Sequence, residues 1–168
     1  MKYNRSWVAT PFGRERMQRM NRKRACVFGI LAGLWIGVLF LLSTQSGVDS
    51  GQLSEGITEK LLGWLIARGV PEATLEHIVR KLAHFSGFAL SGFFTGMALF
   101  SVLKKRTAGL AAFGIEALMA VLNELSQMIP VGRSCSVKDM LIDLSGATLG
   151  ILIAWWTDRH LGSKKGKA

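Results

Sequence analysis

Two stretches of the chain, Ala25 to Leu42 and Leu82 to Leu103, run for 18 or more residues without a Lys, Arg, Asp or Glu. A helix of about 20 residues, rising about 1.5 Å per residue, spans the roughly 30 Å apolar core of a bilayer. Each stretch therefore predicts one membrane crossing. A third crossing is expected over Thr107 to Met128, apolar except for Glu116, Asn123, Glu124 and Gln127, and a fourth from Val137 to Thr157. Between the first two, Leu53, Ile57, Leu61, Trp64 and Leu65 recur at helical spacing among Glu55, Glu59 and Lys60, which predicts an amphipathic helix lying on the outer membrane surface. Gly69 closes that helix, and Pro71 suits the first turn of the second crossing, which runs from about residue 72 to 103. Pro130 and Gly132 force a turn before the fourth. The expected fold class is all-α: a polytopic membrane protein with about four transmembrane helices and an outer amphipathic helix.

Charge adds the orientation. The 168 residues carry a net charge of +10 alongside a mean hydropathy of +0.31, a combination that a nucleic-acid-binding protein could also show. The placement of the charges favours topology. Eight Lys or Arg lie in residues 1–24, three form Lys104-Lys105-Arg106, and four lie beyond Trp156, so basic clusters alternate with apolar spans. The positive-inside rule then puts both termini in the cytoplasm and segments 46–77 and 129–137 outside. Asp49, Glu55, Glu59, Glu72 and Glu76 all fall in the first outer segment. Nucleic acid is not expected as a partner. The domain reading is a basic cytoplasmic arm over 1–24, in which Pro11 and Gly13 interrupt any long helix, a transmembrane domain over 25–158, and a basic cytoplasmic tail over 159–168. The first apolar run exceeds the 7–15 residues of a signal peptide and lacks an Ala-x-Ala-like site, so it reads as an uncleaved helix. Cys26 and Cys135 fall at opposite membrane faces and cannot bridge within one chain.

Gly29, Gly33 and Gly37 form a smooth strip on the first helix, and Gly92 with Gly96 and Gly146 with Gly150 form close-packing pairs on the second and fourth. Such faces serve helix packing or a homo-oligomer. Trp155 and Trp156 stand where an aromatic belt is expected.

With that topology Lys81, His84, Glu124, Gln127, Arg133, Asp139 and Asp143 share one depth at the outer face, though they come from three helices and a turn. Ionisable groups in apolar helices cost on the order of 2.5–3.5 kcal/mol each, so they usually face a cavity or a partner. Ser136-x-x-Asp139 fits a capping box, which gives Asp139 a structural role; Asp143 lies one turn deeper, beyond the reach of capping. Lys81 and His84 share a helix face, as do Glu124 and Gln127, and Glu124 can pair with Arg133 or Lys81. Arg133, just before a helix N-terminus, suits an anion. His84, Glu124 and Asp143 are the candidates for acid–base chemistry, and Lys81, Gln127, Arg133 and Asp139 for ligand binding. The spacing matches no metal signature, so no metal and no cofactor are expected. Glu116, deep in the third helix, belongs to no motif and is expected to carry a proton or to be hydrogen-bonded to a neighbouring helix.

Arg80-Lys81-Leu82-Ala83-His84-Phe85, Asn123-Glu124-Leu125-Ser126-Gln127, Pro130-x-Gly132-Arg133-Ser134 and Asp139-x-x-x-Asp143-x-x-Gly146, taken in that order, resemble the VanZ-like family, as does Ser43-Thr44-Gln45 after the first helix. The resemblance runs from about residue 30 to 156. It implies a bacterial multi-pass protein of the cell membrane whose namesake lowers susceptibility to the glycopeptide teicoplanin, and it implies no agreed reaction. The family usually has an acid and a Tyr shortly after the His, where this chain has Gly87 and Phe88, and an Asp where Asn123 stands.

Three readings follow. In the leading one an outer-face pocket engages an anionic membrane lipid or cell-wall precursor and so lowers glycopeptide susceptibility. In the second the protein is an intramembrane hydrolase or transferase acting on a lipid head group. In the third the cluster is a structural network that only fixes helix registry.

Overall fold

The computed structural model describes residues 11–130 and 135–165. Among them it forms five helices and no strand: α1 (Pro11–Ser43), α2 (Gly47–Ile66), α3 (Glu72–Phe100), α4 (Lys105–Ser126) and α5 (Val137–Lys165). Four segments are long and apolar enough to cross a membrane: Gln18–Ser43, Glu72–Phe100, Lys105–Ser126 and Val137–His160. The all-α class, with four spanning helices and a separate α2, is the architecture expected from the apolar runs.

The helix ends differ from expectation in two places. α1 begins at Pro11, well before its apolar stretch. A proline at the first helical position gives up an N–H that has no intrahelical partner there, so Pro11 starts the helix rather than interrupting it. α5 likewise continues past Thr157 to Lys165. The α2–α3 turn follows the punctuation of the sequence: Gly69 takes φ +89°, which closes α2 with a left-handed residue, and Pro71 at φ −59° precedes α3.

At the centre of the bundle α3 lies directly against α5, and the paired glycines make this possible. A methyl group added at Gly150 would stand 1.9 Å from the carbonyl oxygen of Ala89, at Gly146 2.1 Å from that of Phe85, and at Gly92 2.3 Å from that of Ala147. Only hydrogen side chains let two backbones approach this closely. α1 and α4 pack around this pair. Near one end Met97, Phe100, Ala108, Ala112, Ile151 and Ala154 form a core against Phe28 and Phe93. Toward the other, Phe88, Ala120 and Ala147 pack with Leu39 and Met119, and the Trp35 indole donates to the Gly87 carbonyl at 2.8 Å.

The strip of Gly29, Gly33 and Gly37 behaves differently, since a methyl at any of them meets nothing within 4 Å. α1 approaches α3 through its Phe28 and Leu39 side instead. At the α1 N-terminal end, Asp158 binds Arg24 at 2.9 Å and also Lys105, tying α5 to α1 and α4. Arg159 stacks over the exposed Trp155 at 4.6 Å. Cys26 and Cys135 are both free thiols.

Candidate functional site

The opposite end of the bundle, where α1 and α4 finish and α5 begins, gathers the polar residues. Asp143 sits in the second turn of α5 and is completely buried. One of its oxygens is hydrogen-bonded to His84 Nδ1 at 3.1 Å, and the other accepts from Asn123 Nδ2 at 3.3 Å. Asn123 is oriented in turn by Ser43, the last residue of α1, whose hydroxyl donates to its Oδ1. Three helices thus converge on one carboxylate, and the small residues between α3 and α5 bring His84 within its reach.

Glu124, also completely buried, has both oxygens held: Oε1 accepts from Gln127 Nε2 at 2.9 Å and Oε2 from the backbone N–H of Ser136 at 2.8 Å. Ser136 caps α5, its hydroxyl accepting from the Asp139 N–H at 3.3 Å. In a capping box the residue three positions on would reach back to the Ser136 N–H; here Glu124 of α4 takes that bond instead. The result ties the start of α5 to the end of α4.

The His84, Glu124 and Asp143 groups come together, with one ligand-capable atom of each lying within 4.8 Å of the others. His84 keeps about 20% of its side chain accessible and stands on the wall of a cavity of about 130 Å³ between α1, α2, α3 and the end of α4. That wall is mainly apolar, built from Leu39, Leu42, Leu53 and Phe88, with Arg80, His84 and Asn123 among its polar members. Thus two buried carboxylates stand behind one imidazole at the edge of an apolar cleft.

The remaining sequence candidates divide. Gln127 is buried against Glu124. Asp139 lies half-buried in the first turn of α5, outside the close group of three. Lys81 is half-buried and makes no ion pair among the described residues; Arg80, not Lys81, lines the cleft. Arg133 lies outside the described residues. Arg80, Ser43 and Asn123 stand in the motifs of the sequence but had no site role assigned to them. For Arg80 the signal was present, because a residue four positions before His84 shares its helix face as well as one three positions before.

Glu116 stands apart. Ser91 and Thr95 of α3 donate to its Oε1 at 3.1 and 2.6 Å, while its buried Oε2 has no hydrogen-bond partner among the described residues. The neighbouring-helix bond expected for this residue is therefore present. Gly87 and Phe88, the positions where the resemblance led to an acid and a Tyr, are both buried. A methyl at Gly87 would meet Leu39 Cδ2 at 2.9 Å, so a side chain there would have to push the end of Leu39 aside.

Four spanning helices closed around a buried polar cluster define the class: a multi-pass helical membrane protein. The sequence model of the VanZ/LLP1 family matches residues 28–158, most of the chain, and the chain belongs to that family. Neither a curated protein nor a solved structure matches it.

Proposed function

We propose that this VanZ-family membrane protein holds the polar group of an anionic membrane lipid, or of a lipid-linked cell-wall precursor, in the cleft beside His84 on the extracytoplasmic side of the bacterial cell membrane. By occupying or altering that lipid it lowers susceptibility to glycopeptides such as teicoplanin. One observation carries the reading: a mostly apolar cleft of about 130 Å³ meets Arg80 and His84 at the edge of a buried polar cluster. A volume of this order takes a head group or a short length of chain, not a whole lipid. The leucines then face the acyl or prenyl part, and Arg80 supplies the charge that attracts an anion. The alternation of basic clusters and spans supports the N-in, C-in orientation this requires.

Mass spectrometry of lipids copurifying from mild detergent tests the proposal. An anionic lipid species should be enriched with the wild type and reduced severalfold with Arg80→Ala and His84→Ala, and deletion of the gene should raise teicoplanin sensitivity. Identical lipid content in all three preparations, together with unchanged sensitivity, would overturn it.

The hydrogen bond between His84 and Asp143 favours a second reading, an intramembrane hydrolase or transferase. A neutral imidazole that gives its Nδ1–H to a buried carboxylate keeps Nε2 as a base. In that case strains carrying His84→Gln or Asp143→Asn at normal protein level accumulate one lipid species. A lipid profile identical to wild type would exclude it.

A further inference from the structure

We propose that His84, Glu124 and Asp143 form a binding site for a borderline divalent transition-metal cation of the Zn²⁺ or Mn²⁺ type. The proposal concerns the buried group behind the cleft wall and rests on the head-group reading only for what would approach the cation.

Charge is the first argument. Glu124 and Asp143 are both fully buried, and among the described residues no Lys or Arg pairs with either. Buried charges are normally paired or bound to metal. Among the described residues one imidazole faces the two carboxylates; a divalent cation with a neutral imidazole would balance both.

Geometry is the second. Nitrogen and oxygen ligands bind such cations at about 2.0–2.2 Å, so two ligands on one cation stand about 3–3.5 Å apart. The His84 Nδ1 to Asp143 Oδ1 separation is 3.1 Å. The hydrogen-bonded edge is therefore also the length of a chelate edge, and the cation takes the place of the proton between them, which leaves for solvent. Glu124, whose ligand atom lies within 4.8 Å of the other two, closes the third position by moving inward by up to about 1.3–1.8 Å, a side-chain adjustment that brings it to the ligand–ligand spacing of one cation.

The surroundings are the third. Metal-binding carboxylates are usually steadied by outer hydrogen bonds. Asn123 holds the second oxygen of Asp143, and Gln127 and Ser136 hold the two oxygens of Glu124. Each of these bonds uses one lone pair and leaves another for a cation. Three protein ligands leave a further coordination position for water or an incoming group, and His84 stands on the cleft wall. One imidazole with two carboxylates suits Zn²⁺ or Mn²⁺ better than thiophilic ions.

The test uses full-length protein without a polyhistidine tag, purified in mild detergent, stripped with EDTA and desalted. After incubation with Zn²⁺, elemental analysis should find about one Zn²⁺ per chain retained through gel filtration. His84→Ala, Glu124→Gln and Asp143→Asn should each weaken retention at least tenfold, and Glu116→Gln should keep it. Wild-type protein loaded with Co²⁺ should show visible d–d bands, a readout that needs no variant to fold. Absence of retained Zn²⁺ and of those bands in the wild type would overturn the proposal, as would retention unchanged in well-folded His84→Ala. Lipid content measured on the same preparations separates the two ideas: bound cation without lipid removes only the head-group reading, and lipid without bound cation removes only this one.

Discussion

The Oε2 atom of Glu124 accepts the backbone N–H of Ser136 at 2.8 Å, so a side chain from the last turn of α4 completes the cap of α5. The cap has two halves, and they can be separated by mutation. Ser136→Ala removes only the hydroxyl that accepts from Asp139 and should cost about 1 kcal/mol. Glu124→Ala strands the Ser136 N–H and Gln127 in a buried setting and should cost about 2–4 kcal/mol. Thermal unfolding in detergent checks the order; equal losses would mean that Glu124 does not support α5.

The two glutamates of α4 should behave differently although both are buried and lie about two turns apart. Among the described residues Glu116 bonds to Ser91 and Thr95 of α3, away from His84. Glu116→Gln keeps an oxygen for both hydroxyls and should leave copurified lipid unchanged, with stability within about 1–2 kcal/mol of wild type. A lipid profile changed as strongly as that of His84→Ala would tie Glu116 to the site after all.

Glycine substitutions should separate two kinds of helix face. Gly150→Ala drives a methyl into the Ala89 carbonyl and should destabilise by about 1–3 kcal/mol or more. Gly33→Ala meets nothing within 4 Å, and as a helix-favouring change it should be neutral or gain up to about 1 kcal/mol in the isolated protein. Melting temperatures of both variants decide this, and equal losses would show that α1 packs more closely than its outward strip suggests.

At the other end of the bundle, Asp158→Asn should lower stability by about 1–2 kcal/mol, because its carboxylate is mostly buried and binds both Arg24 and Lys105. Lys105→Ala should cost less than Arg24→Ala, since Lys105 is 47% exposed and Arg24 19%. A larger loss for Lys105→Ala would reverse that assignment.

The fold was legible in the chain because bilayer thickness converts an apolar run into a helix with few alternatives. The runs around Ala25 and Leu82 gave the first two crossings directly, and Gly69 and Pro71 marked the turn between α2 and α3. The helix ends were less legible: polar residues from Pro11 onward carry no apolar period, yet they continue α1. The site residues were grouped by depth along their helices, which does not name their partners. Depth follows from counting residues along each helix, whereas the rotation of each helix about its axis is set by packing. This is why His84 with Asp143 could be grouped in advance, while Arg80 displaced Lys81 from the cleft and Glu124 displaced Asp139 from the Ser136 N–H.

The contact between Gly146 and the Phe85 carbonyl reaches beyond packing. Phe85 follows His84 directly, and Gly146 comes less than one turn after Asp143. The spacing of that imidazole and that carboxylate is consequently gauged by main-chain atoms touching, which cannot adjust by changing rotamer. The His84–Asp143 pairing is thereby mechanically tied to one helix crossing, and a displacement of α3 from α5 would act on it directly.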